Sequence, residues 1–483
     1  MSRTIGIILA IIQFILSVVL AVNVILFNVL TSTYFLVLIG VLLILLGITL
    51  LTQIAAKGKG IGGKIFCILI CIILGVGSFY IGKVNNAFQK ITGSNKKTSS
   101  MVVAVKADDN ADTLSAAAGY TFGVQYATGG DQTKSAVKQI EKELGQNITL
   151  QEYSNLGEEA QALYDGEVDA IIYNSAYSNI IQEQYSTFTK DTKVIYKHNI
   201  VVEIESDTSD ESVTKPFAVY LSGIDTDGDI TEQGRSDVNI VAVVNPTSHQ
   251  VLLITTPRDY YVPIPGVSGG QDDKLTHAGI YGVDVSMQTL EALYDTDIEF
   301  FGRVNFTSII SVVDALGGLD VESDLEFDTG WESGAEIHVN EGMNHFDGIS
   351  ALAFCRERQA LPDGDNGRGV HQQAVITAII KKMMSPAMLR GASDIIDSVS
   401  DGVDTNFTSS QIQSLIKTQL RTNAKWNIYS VAADGTGGTD ICYSSGAEEL
   451  YVTYPDENSV AEISELIKKV KDGETIEGSV STE

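Results

Sequence analysis

Acidic residues are missing from the first 82 positions of this 483-residue chain, which hold neither aspartate nor glutamate. The only charges there are Arg3, Lys57, Lys59 and Lys64. Three apolar runs fill the stretch, roughly Ile5–Leu30, Phe35–Leu51 and Ile65–Ile81. Each comes close to the ~20 residues that a membrane-spanning helix needs. A cleaved signal peptide has one short apolar core and a small-residue cleavage site, so three runs argue against one. Lys57, Lys59 and Lys64 lie between the second and third runs, which places that loop in the cytoplasm by the positive-inside bias. The N-terminus is then inside and everything beyond about residue 84 is extracellular. Lys83, Lys90, Lys96 and Lys97, just past the third run, oppose that bias.

Arginine is absent from residues 83 to 234, and cysteine is scarce throughout, with four in all. Cys67 and Cys71 sit in the third apolar run, leaving Cys355 and Cys442 outside it. Their spacing suits no zinc site, and two buried unpaired thiols are favoured over a disulfide. Positive charge is also in short supply. The chain carries −29 overall and +4 over residues 1–82, leaving −33 on the rest. So acidic a surface repels nucleic acid and anionic lipid. The roughly 400 remaining residues exceed one typical domain, so two are expected.

A polar Ser/Thr/Lys-rich stretch, residues 84–100, reads as a linker. Residues 100–205 then alternate strands at Met101–Val105, Thr121–Val124 and Val168–Tyr173 with helices at Ser135–Leu144 and Ala160–Asp165. That pattern predicts a small α/β accessory domain. Its stretch from Gly157 through Ala162-Leu163-Tyr164-Asp165-Gly166 to Ile172 resembles part of extracellular solute-binding proteins. There is room for only one lobe of that two-lobed fold, so a spacer or docking role is favoured over ligand binding.

Residues 214–471 predict an outer α/β domain, a mixed sheet flanked by helices, followed by a polar tail at 472–483. Strands are expected at Phe217–Ile224, Val238–Val244, Val251–Thr255, Ile298–Val304, Ala351–Cys355 and Trp426–Val431. Helices are expected at Asp272–Tyr281, Val285–Leu293, Phe306–Leu316, Gly369–Met384, Gln411–Leu420 and Val460–Val470. The strand runs are apolar and β-branched, as strands covered on both faces are. Acids and bases gather at their ends: Asp225, then Arg235-Ser236-Asp237, then Pro257-Arg258-Asp259, then Asp273-Lys274-Leu275-Thr276-His277. Open α/β sheets bind ligands at such edges. Asp225-Thr226-Asp227-Gly228 has its glycine too early for an EF-hand.

Eight of nine arginines lie beyond the first 82 residues, and five stand at strand ends or helix starts: Arg235, Arg258, Arg356, Arg358 and Arg368. On so acidic a chain they would form a local positive pocket. Arginine's planar fork suits phosphate oxygens, and several together suit a pyrophosphate. Equally, each has an acid at hand in Asp237, Asp259 or Glu357, and the residues alone leave both readings open. Asp225 and Asp237 could hold a hard cation or simply cap turns.

Taken in order, these motifs resemble the LytR-CpsA-Psr family of cell-envelope proteins. The likeness runs over about residues 217–385. It starts at Val219-Tyr220-Leu221-Ser222-Gly223-Ile224-Asp225 and includes Arg235-Ser236-Asp237, Pro257-Arg258-Asp259 and Asp273-Lys274. It continues through Val304-Asn305-Phe306, Asp314-Ala315-Leu316-Gly317-Gly318, Ala353-Phe354-Cys355-Arg356-Glu357-Arg358 and Gly364-Asp365-Asn366-Gly367-Arg368 to Gln372-Gln373. Three spans, an accessory domain and an outer domain are also a layout of that family. The resemblance implies a wall-facing phosphotransferase that moves a glycopolymer, such as teichoic acid or capsule, from a polyprenyl-pyrophosphate carrier onto peptidoglycan through a phosphodiester. It further implies magnesium on Asp225 and Asp237, with Arg258 catalytic beside them. Arg235, Arg258, Lys274, Arg356, Arg358, Arg368 and Gln372 would contact the pyrophosphate, and an apolar pocket beside the sheet would take the prenyl chain. Thr276 departs from the family's usual asparagine. Gly369-Val370-His371 replaces a stretch that usually carries Arg or Asn, and His371 reads as a helix-surface residue in preference to a phosphate contact.

Such a transfer is mainly positioning and charge stabilisation. The residues do not single out a base; an acid near the metal, or His277, could serve. Hydrolysis of the same pyrophosphate is the rival chemistry. A non-enzymatic envelope sensor is disfavoured by the small amount of cytoplasmic chain, and a structural anchor would have no use for the arginines.

Overall fold

The computed structural model describes residues 2–28, 30, 32–55, 61–92, 96–203, 213–224, 233–362, 365–383, 403–422, 424–446 and 449–476. Helices α1 (Ser2–Phe27), α2 (Ser32–Ala55) and α3 (Ile61–Ile91) contain stretches of 24, 22 and 23 residues long and apolar enough to cross a membrane. Their outward side chains, such as Ile8, Leu43 and Ile73, are exposed hydrocarbon, as a lipid-facing surface requires. Inside the bundle, Thr49 Oγ1 donates to Gln13 Oε1 at 2.7 Å, joining α1 to α2. The end of α1 and the end of α3 both touch the soluble part: Lys417 Nζ donates to Asn28 Oδ1 at 2.7 Å, and the Thr92 and Ser409 hydroxyls are bonded.

The accessory unit is a five-stranded sheet in the order β3-β2-β4-β1-β5. Its strands are β1 (Lys96–Lys106), β2 (Thr121–Gln125), β3 (Thr149–Tyr153), β4 (Ala170–Asn174) and β5 (Thr192–Glu203). β2 runs parallel to β3 and β4, and β1 antiparallel to β4 and β5. Helices α4 (Gly130–Leu144), α5 (Leu156–Asp165), α6 (Ser178–Gln184) and the single turn α7 (Phe188–Asp191) complete it. The expected linker is shorter than its composition suggests. α3 runs to Ile91, and polar Lys96–Ser100 is already strand because β5 pairs with it from Glu203 inward. β3 has no apolar run to announce it and is an exposed edge, and β5 carries only the short runs Val194–Tyr196 and Ile200–Val202.

The outer unit is built on six strands in the order β16-β11-β6-β7-β8-β17. These are β6 (Phe217–Ile224), β7 (Ser236–Asn245), β8 (Gln250–Thr255), β11 (Phe300–Asn305), β16 (Val403–Thr405) and β17 (Asn427–Ala432). β11 is parallel to β6 and β17 to β8, while the other neighbours are antiparallel, so the sheet is mixed. Small two-stranded ribbons surround it: β9 (Tyr261–Pro263) with β10 (Asp272–Lys274), β12 (Leu319–Ser323) with β15 (Gly342–Phe346), β13 (Phe327–Asp328) with β14 (His338–Val339), and β18 (Gly435–Ile441) with β19 (Glu449–Pro455). The helices are α8 (Leu275–Tyr281), α9 (Val283–Tyr294), α10 (Phe306–Ala315), α11 (Gly348–Arg356), α12 (Asp365–Met383), α13 (Ser409–Thr422) and α14 (Glu457–Asp472). β6 to β8 send alternate residues into two cores. Tyr220, Val241 and Leu252 meet Leu290 of α9 and Ile463 of α14 on one face; Val219, Ile240 and Leu253 meet Leu415 of α13 on the other.

Three expectations change here. Ala351–Cys355 is helix, not strand. Asp347 caps α11 by accepting from the Ser350 amide, and a short apolar run cannot by itself distinguish the two periods. Asp272–Tyr281 divides into strand β10 and helix α8, because Asp272–Lys274 pairs with Tyr261–Pro263. The polar tail is packed as far as Ile476, which is fully buried against the main core.

Candidate active site

The site lies where β6 ends and β7 begins. Asp225, next after β6, falls outside the described residues. Gly223 pairs with Val238 and Ile224 with Ser236, so Asp237 is the extra residue of a β-bulge. Bulges re-aim the side chains they carry. Gly223 permits this close pairing, since a Cβ there would come within 2.7 Å of Val238 Cγ2. Ser236 is fully buried, its hydroxyl 2.7 Å from both Tyr220 Oη and Ser222 Oγ. With Ser236 anchored inward, Arg235 and Asp237 on either side of it line the cleft. Helix α8 backs this turn closely: a Cβ on Gly279 would stand 2.6 Å from the Gly234 carbonyl oxygen.

Arg258, just after β8, donates from Nη1 to Asp237 Oδ1 at 3.1 Å, and its Nε lies 3.4 Å from Asp259 Oδ2. Lys274 Nζ is 3.5 Å from Asp259 Oδ1, and Thr276 Oγ1 donates to Asp237 Oδ1 at 3.4 Å. Arg258 is therefore already part of a charge network. Lys274 is not among the residues lining the cleft.

The opposite wall is α11 and the turn after it. Arg356 ends the helix, and Glu357 follows it with only 2 % exposure. The Glu357 carboxylate accepts from the amides of Gly330 (2.8 Å), Arg358 (2.9 Å) and Ala360 (2.9 Å) and from the Ser333 hydroxyl (2.9 Å). Burial pushes its pKa up, but these four donors outweigh it and hold the group below its usual range. A carboxylate has about four lone-pair sites, so Glu357 is occupied as a staple between two loops. Arg368 and Gln372 stand four residues apart on α12, where they share a face. Gln372 Nε2 donates to the Cys355 carbonyl at 3.4 Å.

The resulting cleft encloses about 520 Å³ and is lined by all five strand-end and helix-start arginines, Arg235, Arg258, Arg356, Arg358 and Arg368, and by Asp237 and Gln372. Sequence reasoning missed its outer rim, made by Asp328 at the end of β13 and by Gly330, Glu332 and Ser333 of the loop that leads to β14. That loop's signal was a polar Gly/Ser turn, Asp328-Thr329-Gly330-Trp331-Glu332-Ser333-Gly334, with no charge pattern to mark it. His371 is a correction. It is 6 % exposed rather than on the helix surface, with its ring stacked on Phe354 (3.9 Å between centroids) and Phe327 (5.2 Å). Burial lowers its pKa to about 4, so it is a neutral packing residue. His277 is fully buried, 2.7 Å from Asp273 Oδ1, with Ser444 bonded to both. That cluster locks the Tyr443–Ser445 turn onto α8. Cys355 and Cys442 are buried free thiols, as favoured.

Residues 171–469 match the LytR_cpsA_psr family. The chain belongs to the LytR-CpsA-Psr family. A relative from Bacillus cereus (strain AH820), named polyisoprenyl-teichoic acid–peptidoglycan teichoic acid transferase TagU, is 33 % identical over 253 residues, which is 52 % of this chain and 77 % of the relative. A protein of the same name from Bacillus mycoides (strain KBAB4) is 35 % identical over 212 residues, covering 44 % of this chain and 67 % of its own length. Among solved structures, B. subtilis TagV aligns at 25 % identity with a TM-score of 0.45, over 54 % of this chain and 99 % of TagV. The family match takes in the outer unit and every arginine of the cleft. It begins within β4 of the accessory sheet.

Proposed function

We propose that the outer domain is a phosphotransferase that moves a glycopolymer from a polyprenyl-pyrophosphate carrier to peptidoglycan, at the outer face of the membrane. The observation that carries this reading is the cleft of five arginines on a chain of net charge −29. Their forks suit the oxygens of a pyrophosphate, and charge-assisted contacts of this kind are the strong ones. Teichoic acid is the polymer in the names of the relatives, and we take a wall glycopolymer of that class as the substrate.

In the reaction a sugar hydroxyl of peptidoglycan attacks the phosphorus that bears the glycopolymer. A new P–O bond forms, the bond from that phosphorus to the bridging oxygen breaks, and polyprenyl monophosphate leaves. The hydroxyl proton passes to a base. Arg356, Arg358 and Arg368 would hold the leaving phosphate, with Arg235 and Arg258 on the side of the attacked phosphorus. Glu357 is a poor base, because its oxygens are occupied and its pKa is depressed. Asp237 keeps one oxygen unoccupied, since its hydrogen bonds fall on Oδ1 and, among the described residues, Oδ2 accepts none.

That same oxygen fits a hard cation. Magnesium binds through one or two carboxylates plus substrate phosphates rather than a full protein cage. No group of three or more His, Cys, Asp or Glu suited to a metal occurs among the described residues. Asp237, together with Asp225, would therefore hold it, and when bound it would neutralise phosphate charge. The test is product analysis on the full-length protein with lipid-linked donor, with and without a peptidoglycan acceptor, for wild type and Asp237→Ala. Acceptor-dependent phosphodiester formation that the variant loses is the expected result. Glycan phosphate released at an equal rate without acceptor would make the protein a hydrolase. Unchanged turnover in the variant would remove Asp237 from the chemistry.

A further inference from the structure

A second hollow, of about 530 Å³, lies between the membrane bundle and the outer domain. Its floor is the turn from α1 to α2, with Val24, Ile25, Leu30 and Phe35 as an apolar wall. Its roof is α13, which presents Ser414, Lys417, Thr418 and Arg421. Those positions follow the i, i+3, i+4, i+7 spacing of a single helical face, so two hydroxyls and two cations form one stripe. Leu415, about 100° round α13 from Ser414, packs against the core. No acid occurs in α13, and among the described residues neither Lys417 nor Arg421 has a carboxylate partner. Lys417 is held in place by Asn28 at 2.7 Å. Asn28 has a φ of 47° and ends α1 by donating its amide to the Val24 and Ile25 carbonyls.

Helix ends often carry cations simply to complement the dipole. Here two cations in the second half of α13, without a carboxylate partner among the described residues, face a turn at the end of two apolar helices, on a soluble part that is otherwise strongly acidic. An occupant must therefore be anionic where it meets α13 and hydrocarbon where it meets Ile25, Leu30 and Phe35. We propose that this hollow binds one anionic glycerophospholipid, its phosphate on Lys417 and Arg421, its hydroxyl-bearing headgroup near Ser414 and Thr418, and its acyl chains along the α1–α2 wall. The site is separate from the arginine cleft. Thr214, which also lines it, precedes β6, whereas the cleft lies past the far end of that strand. Eight residues of strand span about 25 Å. The lipid would fix the height at which the outer domain rides on the membrane.

The experiment is native mass spectrometry of the full-length protein, released from detergent containing phosphatidylglycerol or phosphatidylcholine in turn. The expected result is retention of one phosphatidylglycerol in preference to phosphatidylcholine. Lys417→Gln/Arg421→Gln should weaken that retention by about thirtyfold, as the loss of two cations near a lipid headgroup implies. A melting temperature matching wild type shows that the double variant is folded; Ser414→Leu/Thr418→Leu, which blocks the hollow without removing charge, gives a second measure and should also reduce retention. Equal retention of the two lipids, or retention unchanged in both variants, overturns the site. Displacement of phosphatidylglycerol by equimolar polyprenyl monophosphate would reassign it to the carrier lipid and overturn the phospholipid assignment.

Discussion

Two buried glutamates, one in each soluble unit, show how differently similar architectures are used. Glu357 of the outer domain and Glu159 of the accessory unit are 2 % and 1 % exposed. Glu357 receives four hydrogen bonds, and its pKa is depressed. Among the described residues neither oxygen of Glu159 has a hydrogen-bond partner; burial drives its pKa well above the usual range, and the Ile172 amide nearby offsets this only in part. The contrast extends to the sheet edges. At the outer domain's edge, five arginines surround open space. In the accessory unit the corresponding edge, where parallel β2, β3 and β4 end, is closed by the outer domain itself. Tyr177 stacks near Tyr281 at 6.0 Å, Gln184 Nε2 donates to the Ser445 carbonyl at 2.7 Å, and Asn174 Nδ2 donates to Gln233 Oε1 at 3.0 Å. Leu156, Tyr177, Ala278 and Tyr281 share one apolar cluster across the junction. A sheet edge with paired polar groups is a joint, and one with gathered like charges is a site. The fold alone does not decide between them.

The severest test of this contrast is Arg258→Ala. It removes the proposed phosphate contact and takes the guanidinium away from Asp237 and Asp259, both largely buried, leaving only Thr276 on Asp237 and Lys274 on Asp259. Breaking such pairs costs about 3 kcal/mol, so melting should fall by roughly 6–12 °C and donor binding should be lost. Arg356→Ala separates the two effects. Because the carboxylate of the adjacent Glu357 is occupied by amides and a hydroxyl, the substitution should leave melting within about 2 °C while donor affinity falls by ~2 kcal/mol, near thirtyfold. A large melting drop with donor affinity intact would instead make Arg356 a structural partner. The readouts are a melt and a donor titration on the same purified protein.

The joint can be broken at Gln233. Its amide donates to the Thr98 carbonyl at 3.2 Å, and its side-chain oxygen accepts from both Ser99 and Asn174. Gln233 lies two residues before Arg235, so the accessory unit holds the backbone that presents Arg235 and Asp237. Gln233→Ala should cost about 1–2 kcal/mol through the stranded Ser99 and Asn174 groups. It should also lower transfer about tenfold by loosening the site. Unchanged activity in a protein with unchanged melting would show that the accessory unit is a passenger.

Much of this was readable in the chain. The apolar runs announce the membrane helices, and β-branched runs announce β6, β7 and β8, because strands covered on both faces must be apolar. Arg235, Arg258, Arg356, Arg358 and Arg368 stand out against an acidic background, and all five converge. Tertiary pairing hid the rest. Lys96–Ser100 becomes strand only because β5 lies beside it. The rim loop carrying Asp328 and Glu332 is held at the cleft by Glu357, a contact between residues 27 positions apart at Gly330. His371 looks like a surface residue until Phe327 and Phe354 close over it. Lys274 sits in a motif of charged residues, yet it pairs with Asp259 and does not line the cleft.

The smallest effect is expected at Glu159, and its sign is informative. The folded-state pKa of this group is raised above the unfolded value of about 4.5. Its contribution to stability is therefore complete below that value and is lost as the pH rises through the folded-state pKa. Glu357 has the opposite sign: its contribution is present above about 4.5 and is lost as the pH falls through its depressed value. Replacing a buried carboxyl that lacks partners with an apolar side chain of similar shape should be neutral or stabilising by about 1 kcal/mol. Glu159→Met should therefore melt slightly above wild type at pH 7.5, with the difference shrinking toward pH 5, whereas Glu357→Met should melt well below wild type at pH 7.5. Melting curves of the full-length proteins across that range supply the check. If Glu159→Met melts below wild type throughout, the carboxyl has a favourable partner in solution. The accessory edge would then be a second receptor site and not a joint, and the contrast between the two units would fail at the residue that shows it most plainly.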